Sequence, residues 1–492
     1  MDPLPPETRS ASPEVVLSSP SMTHELGIEP IADEANVFAG HCKPSTDTLT
    51  YAQRYGGGPA AMGVLTLGDG RVIALGELAG KYNARWELTL KGAGPTPFRR
   101  AFDGRAVLRS CLREFILSEA LHAIGVPTQR GVAVVTTGEK VARDKMYTGN
   151  PREETGAVSV RALFSWLRIG TFELPASQGE IEIVQKLVDY AVDVHMNNAV
   201  HARWSEGKSK AAAFLEEVSA RTARLMARAS AYGFCNGVLN TDNFSILGYS
   251  IDYGPSAFME HFQRTYSPFF QDAQAGGNYS WERQKEVGRE NCLSLAKALF
   301  ESNLITREEA EYACSEVYSW NLDEEDGRLL RNKLGLREFD ADLASDFFAL
   351  MESSKADFTL CFRLLMEVDP NSLGEDGSIP EEMRPAFVAK TLNADEERQW
   401  QNWLHRWAKH AEPDRSKRKE TMRTFNPRVV PRQHLLLEAT IAAEEGDYSV
   451  AESLLKECMD PFAYKRGLGK WERPADPEEA YAPGVGLLTC SS

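Results

Sequence analysis

The most informative segment for the fold runs from Asn236 to Pro255 and reads NGVLNTDNFSILGYSIDYGP. Its pattern predicts a loop, a strand, a short turn through Gly248 and a second strand that ends at Asp252. Asn243 and Asp252 carry hard oxygen ligands, which can together hold a Mg²⁺ ion that also binds nucleotide phosphates. Taken alone, the segment around Asn243 fits an ordinary Asx turn equally well.

The same stretch aligns with the kinase pattern His-Gly-Asp-x-x-x-x-Asn followed by Asp-Phe-Gly. Asn243 takes the place of the metal-binding Asn, and Asp252 begins the second motif. Val238 then occupies the place of the catalytic Asp, and valine cannot accept a proton from a substrate hydroxyl. Asp242 is the nearest replacement. The stretch therefore predicts the metal-binding corner of a kinase-like fold that lacks the usual proton acceptor.

The composition is that of an ordinary globular protein with a surplus of acidic residues. The 492 residues are enough for two to four domains, or for one two-lobed enzyme with extensions. The net charge of −16 argues against a nucleic-acid binder, because neutralising phosphates takes a surplus of Lys and Arg. No apolar run is long enough for a membrane span and no secretory segment opens the chain. We therefore expect an intracellular protein, cytoplasmic by default.

The eight cysteines are scattered, without C-x-x-C pairs and without histidine clusters beside them. A zinc site is therefore not expected, and reduced thiols are the default state. Cys490 differs from the others because it stands third from the end of a tail rich in Pro and Gly, where we expect it to be accessible.

The N-terminal part combines a polar leader with a Gly-rich stretch. Residues 1 to about 35 are rich in Pro, Ser and acidic residues, and we expect them to extend over the surface or to stay disordered. After the YGGG segment at 55–58, Asp69-Gly70 predicts a hairpin turn that leads into a strand at 72–75. Glycine backbone and Arg71 could also approach a phosphate closely here.

A strand lysine and a helix glutamate follow. Lys91 ends a strand of alternating polarity, on the polar face of what we expect to be a half-buried strand. The run from Arg105 to Ile124 has helical spacing and carries Glu114, and Asp103 before it is a candidate N-cap. In kinase-like folds such a glutamate holds the lysine on nucleotide phosphates. A lone Glu114 would otherwise be a solvated helix charge.

From about residue 158 the sequence predicts a mainly helical region. Arg161 and Arg168 lie seven residues apart in an apolar setting, which corresponds to about two turns of a helix. Their partner could be a bound phosphate or a structural Asp or Glu. Helical spacing follows at 181–200 and 209–232, and it fills most of 284–460.

These motifs resemble the selenoprotein O (YdiU) family, kinase-fold proteins that transfer adenylyl groups to protein hydroxyls. The resemblance covers the chain from about residue 16 to the end and rests on LGDGR at 67–71, LKGAGPTPF at 90–98, DGRAVLRSCLREF at 103–115, GVLNTDNFSILGYSIDYGP at 237–255 and the terminal Cys-Ser-Ser. Together with the order of the elements, it implies an α+β, protein-kinase-like two-lobed fold with a helical C-terminal extension.

The predicted division has four segments. Residues 1–50 are an N-terminal extension, and 51–157 are an N-lobe with the Gly-rich loop, the Lys strand and the Glu helix. Residues 158–350 are a mainly helical C-lobe with the metal-binding hairpin. Residues 351–492 are a helical extension with a mobile, Cys-containing tail.

The resemblance also implies roles for individual residues. Mg²⁺ or Mn²⁺ would bind Asn243 and Asp252, Asp242 would accept a proton, and Lys91 would pair with Glu114. Nucleotide contacts are implied for Lys91, Asp252, Gly68, Gly70, Arg71, Asp103, Gly104, Arg161 and Arg168. ATP would bind in the reverse sense to that in kinases, with its α-phosphate toward a Ser, Thr or Tyr of a protein substrate and the two arginines on its γ-phosphate.

Some positions depart from the family pattern. The family stretch Tyr-x-Gly-His-Gln-Phe-Gly appears as YGGGPAA at 55–61, and the His before Gly-Val is Asn236. Neither change removes an implied phosphate or metal ligand. Cys490 stands where some members carry selenocysteine, which makes a redox switch with an unidentified disulfide partner a hypothesis.

The resulting prediction is a protein adenylyltransferase that uses ATP and a divalent metal, without nucleic-acid partners. A nucleotide-binding pseudoenzyme scaffold is the alternative that the altered positions favour. A conventional phosphotransferase is a further alternative, which Val238 disfavours. Because eukaryotic relatives are typically organellar, a mitochondrion or another organelle is the alternative compartment.

Overall fold

The structure is a computed structural model, and it describes residues 12–27, 33–45, 48–58, 64–81, 84–99, 102–204, 208–374, 378–387, 391–465, 467–478, 480 and 484–489. Within these residues, none of the helices combines the length and the apolar composition of a membrane span.

The N-terminal third consists of strands with three helices. In chain order the elements are β1 (Glu14–Ser18), α1 (Pro20–Leu26), α2 (Glu34–Phe38), β2 (Arg54–Gly57), β3 (Leu65–Gly68), β4 (Val72–Ala79), β5 (Arg85–Lys91), β6 (Ala106–Val107), α3 (Leu108–Ala123), β7 (Arg130–Arg143) and β8 (Arg152–Leu163). The main sheet has the order β1-β7-β8-β5-β4, with β6 also paired to β8, and its neighbours are antiparallel.

The remainder is almost entirely helical. Its elements are α4 (Ile169–Ser177), α5 (Ile181–Tyr190), α6 (Asn197–Arg203), α7 (Lys210–Ala231), β9 (Phe234–Cys235), β10 (Ala257–Phe258), α8 (Phe270–Gln274), α9 (Gln284–Glu301), α10 (Arg307–Tyr312), α11 (Tyr318–Lys333), α12 (Ala341–Ser353), α13 (Phe358–Leu365), α14 (Ala394–His410), α15 (Arg415–Phe425), α16 (Gln433–Glu444) and α17 (Ser449–Met459). The α+β class and the helices predicted at 181–200, 209–232 and across 284–460 are therefore confirmed.

Strand β5 is buried on both faces, so the prediction of a half-buried strand is wrong. Trp86, Leu88 and Leu90 pack in one core with side chains of α1 and α2, while Glu87 and Thr89 on the opposite face are also buried. The sequence alternates although both faces are covered, because a buried polar side chain such as Glu87 finds an internal donor in the main-chain N of Trp166. Lys91 does end the strand, opposite Val72 on β4 and Ser159 on β8.

The leader is partly ordered, which corrects the expectation for residues 1 to about 35. Strand β1 pairs antiparallel with β7, and Met22 and Leu26 of α1 are buried against the sheet. These apolar side chains supply the cover that one face of the sheet needs. Residues 1–11 and 28–32 lie outside the described residues.

The segment at Asp69-Gly70 is not a hairpin turn between adjacent strands. β3 pairs with the Gly-rich strand β2, whereas β4 pairs with β5, so the chain passes from one sheet to another at Asp69. The strand predicted at 72–75 is confirmed within β4. Local turn propensity could not show which partner each strand would choose.

Helices begin later than residue 158, because β8 continues to Leu163 between β7 and β5. Arg161 is therefore a strand residue, and Arg168 is the N-cap of α4. Likewise α3 begins at Leu108, with Val107 at its N-cap, so the predictions of a helix from 105 and of Asp103 as its cap are wrong. At Arg161, the pairing of β8 with β5 and β7 overrides the helical spacing of the sequence.

Helix α3 lies between the sheet and the end of the chain. Buried side chains of α3 share one core with Leu435 and Leu436 of α16 and Leu454 of α17. Because the apolar side of α3 packs in this core, its polar residue Glu114 is directed toward Lys91 at the end of β5. The division into four segments stays a prediction.

Candidate active site

The hairpin at 244–252 forms as a tight turn instead of two strands. Gly248 has a φ of +75°, and the turn is closed by hydrogen bonds from Ser245 N to Tyr249 O at 3.3 Å and from Gly248 N to Ser245 O at 3.0 Å. Phe244 and Ser250 form a single antiparallel bridge, and Thr241–Asn243 is one 3₁₀ turn. The predicted turn is confirmed, while the two extended strands are not present.

Main-chain hydrogen bonds dock this hairpin onto two other segments. Ser250 N donates to Pro127 O at 3.0 Å, and Gln129 N donates to Ser250 O at 3.0 Å. On the other side, Ile169 N donates to Phe244 O at 3.0 Å. The hairpin is thereby held between the start of β7 and the start of α4, which brings Arg168 beside Asp252.

Lys91 and Glu114 meet as the spacing of strand and helix predicts. Lys91 Nζ lies 2.7 Å from Glu114 Oε2 and 2.7 Å from Asp252 Oδ1. The side chains of Lys91 and Glu114 are only 9% and 6% exposed, so this ion pair is largely removed from solvent. Glu114 is thus a buried partner of Lys91, and the interpretation as a solvated helix charge is wrong.

Both arginines contact Asp252 as well. Arg161 Nη1 lies 2.7 Å from Asp252 Oδ1 and 2.9 Å from Glu114 Oε1. Arg168 Nη1 lies 2.9 Å from Asp252 Oδ2, and its Nη2 lies 3.1 Å from Asp69 Oδ1. Their partners in this structure are therefore acidic side chains. Among the described residues, Nε and Nη2 of Arg161 and Nε of Arg168 are buried without a hydrogen-bond partner.

The charges in this cluster shift the pKa of its acids. Burial by itself would raise the pKa of Asp252, but Lys91, Arg161 and Arg168 hold it well below its ordinary value. Glu114 is likewise buried, and Lys91 and Arg161 lower its pKa. Asp69 differs, since burial outweighs the attraction of Arg168 and raises its pKa.

The Gly-rich strand β2 packs tightly against the loop that carries Asp242. A Cβ added at Gly57 would lie 2.6 Å from Asp242 Oδ1, and one added at Gly56 would lie 3.4 Å from Gly170 O. Asp242 is half-buried, and its main-chain carbonyl accepts a hydrogen bond from Arg168 Nη1 at 2.6 Å. Glycine is thus required at position 57 for close approach to Asp242.

The other predicted nucleotide contacts flank this cluster. Gly68 and Gly70 pack against Phe98, since added Cβ atoms would lie 2.5 Å from its ring and 3.1 Å from its carbonyl oxygen. Arg71 lines a cavity of about 20 Å³ together with Lys91 and Glu114. This cavity has space for a water molecule and not for a nucleotide.

Asp103 and Gly104 lie in a loop, where Asp103 is exposed and Gly104 is buried. Asp103 accepts hydrogen bonds from Arg143 at 2.7 and 2.8 Å and from Arg105 N at 2.9 Å. Burial would raise its pKa, but these donors lower it. Gly104 has a φ of +74° and packs against Pro95. The structure therefore pairs Asp103 with Arg143 and not with the cluster at Asp252.

The side chains of Asn243 and Asp252 suit a magnesium or manganese ion. Asn243 Nδ2 donates to Val238 O at 2.9 Å, which leaves the amide oxygen as its candidate ligand atom. Asp252 has a φ of +61°, and its pKa keeps it a carboxylate. Within the described residues, no group of three or more His, Cys, Asp or Glu could hold a metal. An Asn–Asp pair would therefore need phosphate and water oxygens to complete the coordination.

Comparison with known proteins identifies the family. The family model described as "Protein adenylyltransferase SelO" matches residues 6–459. The chain belongs to the SelO family.

Relatives with high coverage carry a related name. A "Protein nucleotidyltransferase YdiU" of Azoarcus sp. (strain BH72) is 38% identical over 504 aligned residues, which span 99% of this chain and 93% of the relative. A protein of the same name from Aromatoleum aromaticum is 36% identical, again with 99% and 93% coverage. A third, from Tolumonas auensis, is 34% identical with 98% and 92% coverage. This SelO family member is thus a protein nucleotidyltransferase by family.

Asn236 of this SelO family member has a structural role. Its Oδ1 accepts a hydrogen bond from Val238 N at 3.3 Å, and its Nδ2 donates to Ser250 Oγ at 3.2 Å. Its main-chain oxygen accepts from Ser256 Oγ at 2.6 Å. The asparagine therefore holds the loop that begins at Val238 on the hairpin.

Two altered positions of the sequence fall partly outside the structure. Cys490 and residues 59–61 lie outside the described residues, so the redox hypothesis stays a prediction. Within the described part, the cysteines at 42, 111, 235, 292, 314, 361 and 458 are free thiols.

Several residues of this SelO site are not identified by the sequence. Asp69 is predicted only as part of a turn, although it is 5% exposed and contacts Arg168. Tyr55 OH donates to Asp69 at 3.1 Å, and the Tyr55 ring lies 4.5 Å below the Arg168 guanidinium. The LGDGR motif contained the signal for Asp69, but no local pattern pointed to Tyr55 or Gln129.

Proposed function

We propose that the chain transfers AMP from ATP to Ser, Thr or Tyr hydroxyls of protein substrates, using Mg²⁺ or Mn²⁺ on a protein-kinase-like two-lobed fold. One observation carries the proposal: Lys91, Arg161 and Arg168 converge on the carboxylate of Asp252 within 2.9 Å. A triphosphate with its metal brings more negative charge than one carboxylate. The cluster therefore has the composition of a polyphosphate site in which Asp252 can turn from the cations to the metal.

The residues of the cluster would divide the task of binding ATP. Glu114 orients Lys91 toward the phosphates, as their 2.7 Å contact and joint burial support. Asn243 and Asp252 would hold the metal, which supplies charge neutralisation on the phosphate oxygens when bound. Nucleotide contacts by Gly68, Gly70, Arg71, Asp103 and Gly104 complete the proposal, with Asp103 leaving Arg143 as the cleft opens.

The type of transfer follows from the proton acceptor and the arginines. Valine at 238 leaves no acceptor at the usual kinase position, whereas Asp242 is beside Asn243 and within reach of the Gly-rich strand. Arg161 is buried deep in the cleft and has guanidinium nitrogens without hydrogen-bond partners among the described residues. A γ-phosphate bound inward on Arg161 and Arg168 would leave the α-phosphate facing Asp242 and the acceptor.

A nucleotide-binding scaffold is the second candidate, and the close approach of β2 to Asp242 favours it. A Cβ added at Gly57 would lie 2.6 Å from Asp242 Oδ1, so there is no space for an acceptor hydroxyl between them. If β2 stayed in this position with ATP bound, the acceptor hydroxyl could not reach Asp242.

The test uses ATP labelled separately at the α and γ positions, with Mg²⁺ or Mn²⁺ and casein or the protein itself as acceptor. Asp252→Ala controls for metal binding and Asp242→Asn for proton acceptance. Label from the α position alone, lost in both variants, supports the proposal. Label from the γ position makes the protein a kinase, and nucleotide binding without either label makes it a scaffold.

A further inference from the structure

Gln129 immediately precedes β7 and is almost completely buried, with 1% of its surface exposed. Its position is determined by main-chain bonds to the hairpin that carries Asp252. Gln129 N donates to Ser250 O at 3.0 Å, and Thr128 forms a parallel bridge with Ser250. Its side chain therefore enters the site from a segment that is bonded to the hairpin on one side and continues into β7 on the other.

The carboxamide of Gln129 contacts three groups of the site at once. Its Nε2 donates to Glu114 Oε1 at 2.7 Å. Its Oε1 accepts from the main-chain N of Asp252 at 3.2 Å and from Arg161 Nη1 at 3.2 Å. Gln129 thus joins the partner of Lys91, an arginine of the cluster and the backbone of the candidate metal ligand.

The chemistry of these contacts is specific to a carboxamide. A carboxylate at 129 could accept from Asp252 N but would face the carboxylate of Glu114 without a proton to donate. An apolar side chain of the same size would leave the N–H of Asp252 without this buried acceptor. Among side chains of this length, only glutamine can donate to the carboxylate of Glu114 and also accept from the main-chain N of Asp252.

The backbone of Asp252 gives the contact a further role. Asp252 has a φ of +61°, a left-handed conformation that is unfavourable for a non-glycine residue. The acceptor at Gln129 Oε1 satisfies the N–H of this residue in that conformation. Loss of the acceptor would allow the hairpin to relax and would reorient the carboxylate of Asp252.

We propose that Gln129 is a positioning residue that fixes Asp252 relative to the Lys91–Glu114 pair, so that metal and phosphates are held in one register. The proposal rests on the proposed function, since it assigns Asp252 to the metal. Gln129 touches neither the triphosphate nor the acceptor in this arrangement. Its loss should therefore lower kcat for AMP transfer and weaken Mn²⁺ binding, while KM for ATP changes little.

The experiment compares Gln129→Leu, which removes all three contacts, with Gln129→Asn, which keeps the carboxamide but shortens its reach. Gln401→Leu is the matched control. Gln401 is also a buried glutamine, and it donates a hydrogen bond to the main-chain carbonyl of Gly374. It lies on α14, far along the chain from Gln129. Urea unfolding first establishes that each variant is folded. Steady-state AMP transfer is then measured. In a second measurement, Mn²⁺ is titrated in the presence of a non-hydrolysable ATP analogue, and electron paramagnetic resonance detects its binding.

The proposal expects kcat about tenfold to a hundredfold lower in both Gln129 variants, at least a threefold weaker Mn²⁺ affinity, KM for ATP within about threefold and an unchanged control. Values of kcat and Mn²⁺ affinity within twofold of wild type in a folded Gln129 variant overturn it. Equal losses in Gln401→Leu also overturn it, since they reveal only a fold defect. If wild type binds Mn²⁺ and nucleotide but transfers no AMP, the proposed function fails, and the Mn²⁺ affinity alone decides for or against Gln129.

Discussion

Arg168 Nη2 donates a hydrogen bond to Asp69 Oδ1 at 3.1 Å, which joins the N-terminus of α4 to the end of β3. Asp69 is held from its own side by Gln53 N at 3.0 Å and Tyr55 OH at 3.1 Å. Because Arg168 also contacts Asp252, this one guanidinium connects the Gly-rich strands to the candidate metal site. Movement of the Gly-rich strands and occupation of the metal site are therefore expected to be coupled.

Asp69→Asn should destabilise the protein, because both oxygens of the buried carboxylate accept hydrogen bonds, from Gln53 N, Tyr55 OH and Arg168 Nη2, and an amide would place its NH₂ group against one of these donors. We expect the free energy of unfolding to fall by about 1–3 kcal/mol. Urea denaturation at neutral pH measures it. Asp346→Asn is the control, since the Asp346–Arg406 pair is about half exposed, with side-chain exposures of 51% and 50%. Equal effects of the two substitutions would contradict the importance of burial at Asp69.

Gly57→Ala should lower AMP transfer by at least about tenfold with little change in stability, because the added methyl displaces β2 from Asp242. The contact at issue is the 2.6 Å approach to Asp242 Oδ1. Initial rates with α-labelled ATP measure the effect. Gly149→Ala is the control. Its methyl group would have no atom within 4 Å, although the φ of +80° adds backbone strain. A normal rate for Gly57→Ala would show that the Gly-rich strand does not need this approach.

Asp252→Asn should leave Lys91, Arg161 and Arg168 with too little negative charge around them. Removing one partner from a buried ion cluster costs about 3–5 kcal/mol of stability. We expect metal-free ATP to restore much of this loss, because its phosphates can replace the carboxylate. Thermal unfolding with ATP and a chelator measures both effects. A variant as stable as wild type, or one that ATP does not stabilise more than wild type, would contradict this account.

Glu87 should make stability depend on pH. Burial raises its pKa from 4.5 to about 7, and Trp166 N donates to its Oε2 at 3.1 Å. The folded state therefore keeps a proton that the unfolded chain loses first, so this contribution is present below pH 4.5 and is lost as pH rises through about 7. The loss amounts to about 3 kcal/mol.

Glu87→Gln cannot lose that proton, so its stability should fall less than that of wild type between about pH 5 and about pH 8. Urea unfolding of both proteins at the two pH values measures the difference. Trp166 also lies 4.5 Å below the Arg161 guanidinium, so AMP transfer by the variant should be assayed in parallel. Identical pH profiles of the two proteins would show that Glu87 is ionised without cost.

Features of this protein that depend on local chemistry can be predicted from the sequence. The turn at Gly248, the strand that ends in Lys91 and the helix that carries Glu114 were predictable, because periodicity and turn residues act over a few positions. The family was also readable from contiguous motifs such as LGDGR at 67–71, and the comparison of the whole chain confirmed it.

Only the tertiary structure decided which distant residues complete the site. Asp69 reached Arg168 because β3 paired with β2 and not with β4, and Gln129 reached Asp252 because the hairpin docked on the start of β7. Arg161 is a strand residue because β8 pairs with β5 on one side and with β7 on the other. Strand pairing and the burial of charge are set by partners far away in sequence, so no local pattern could reveal them.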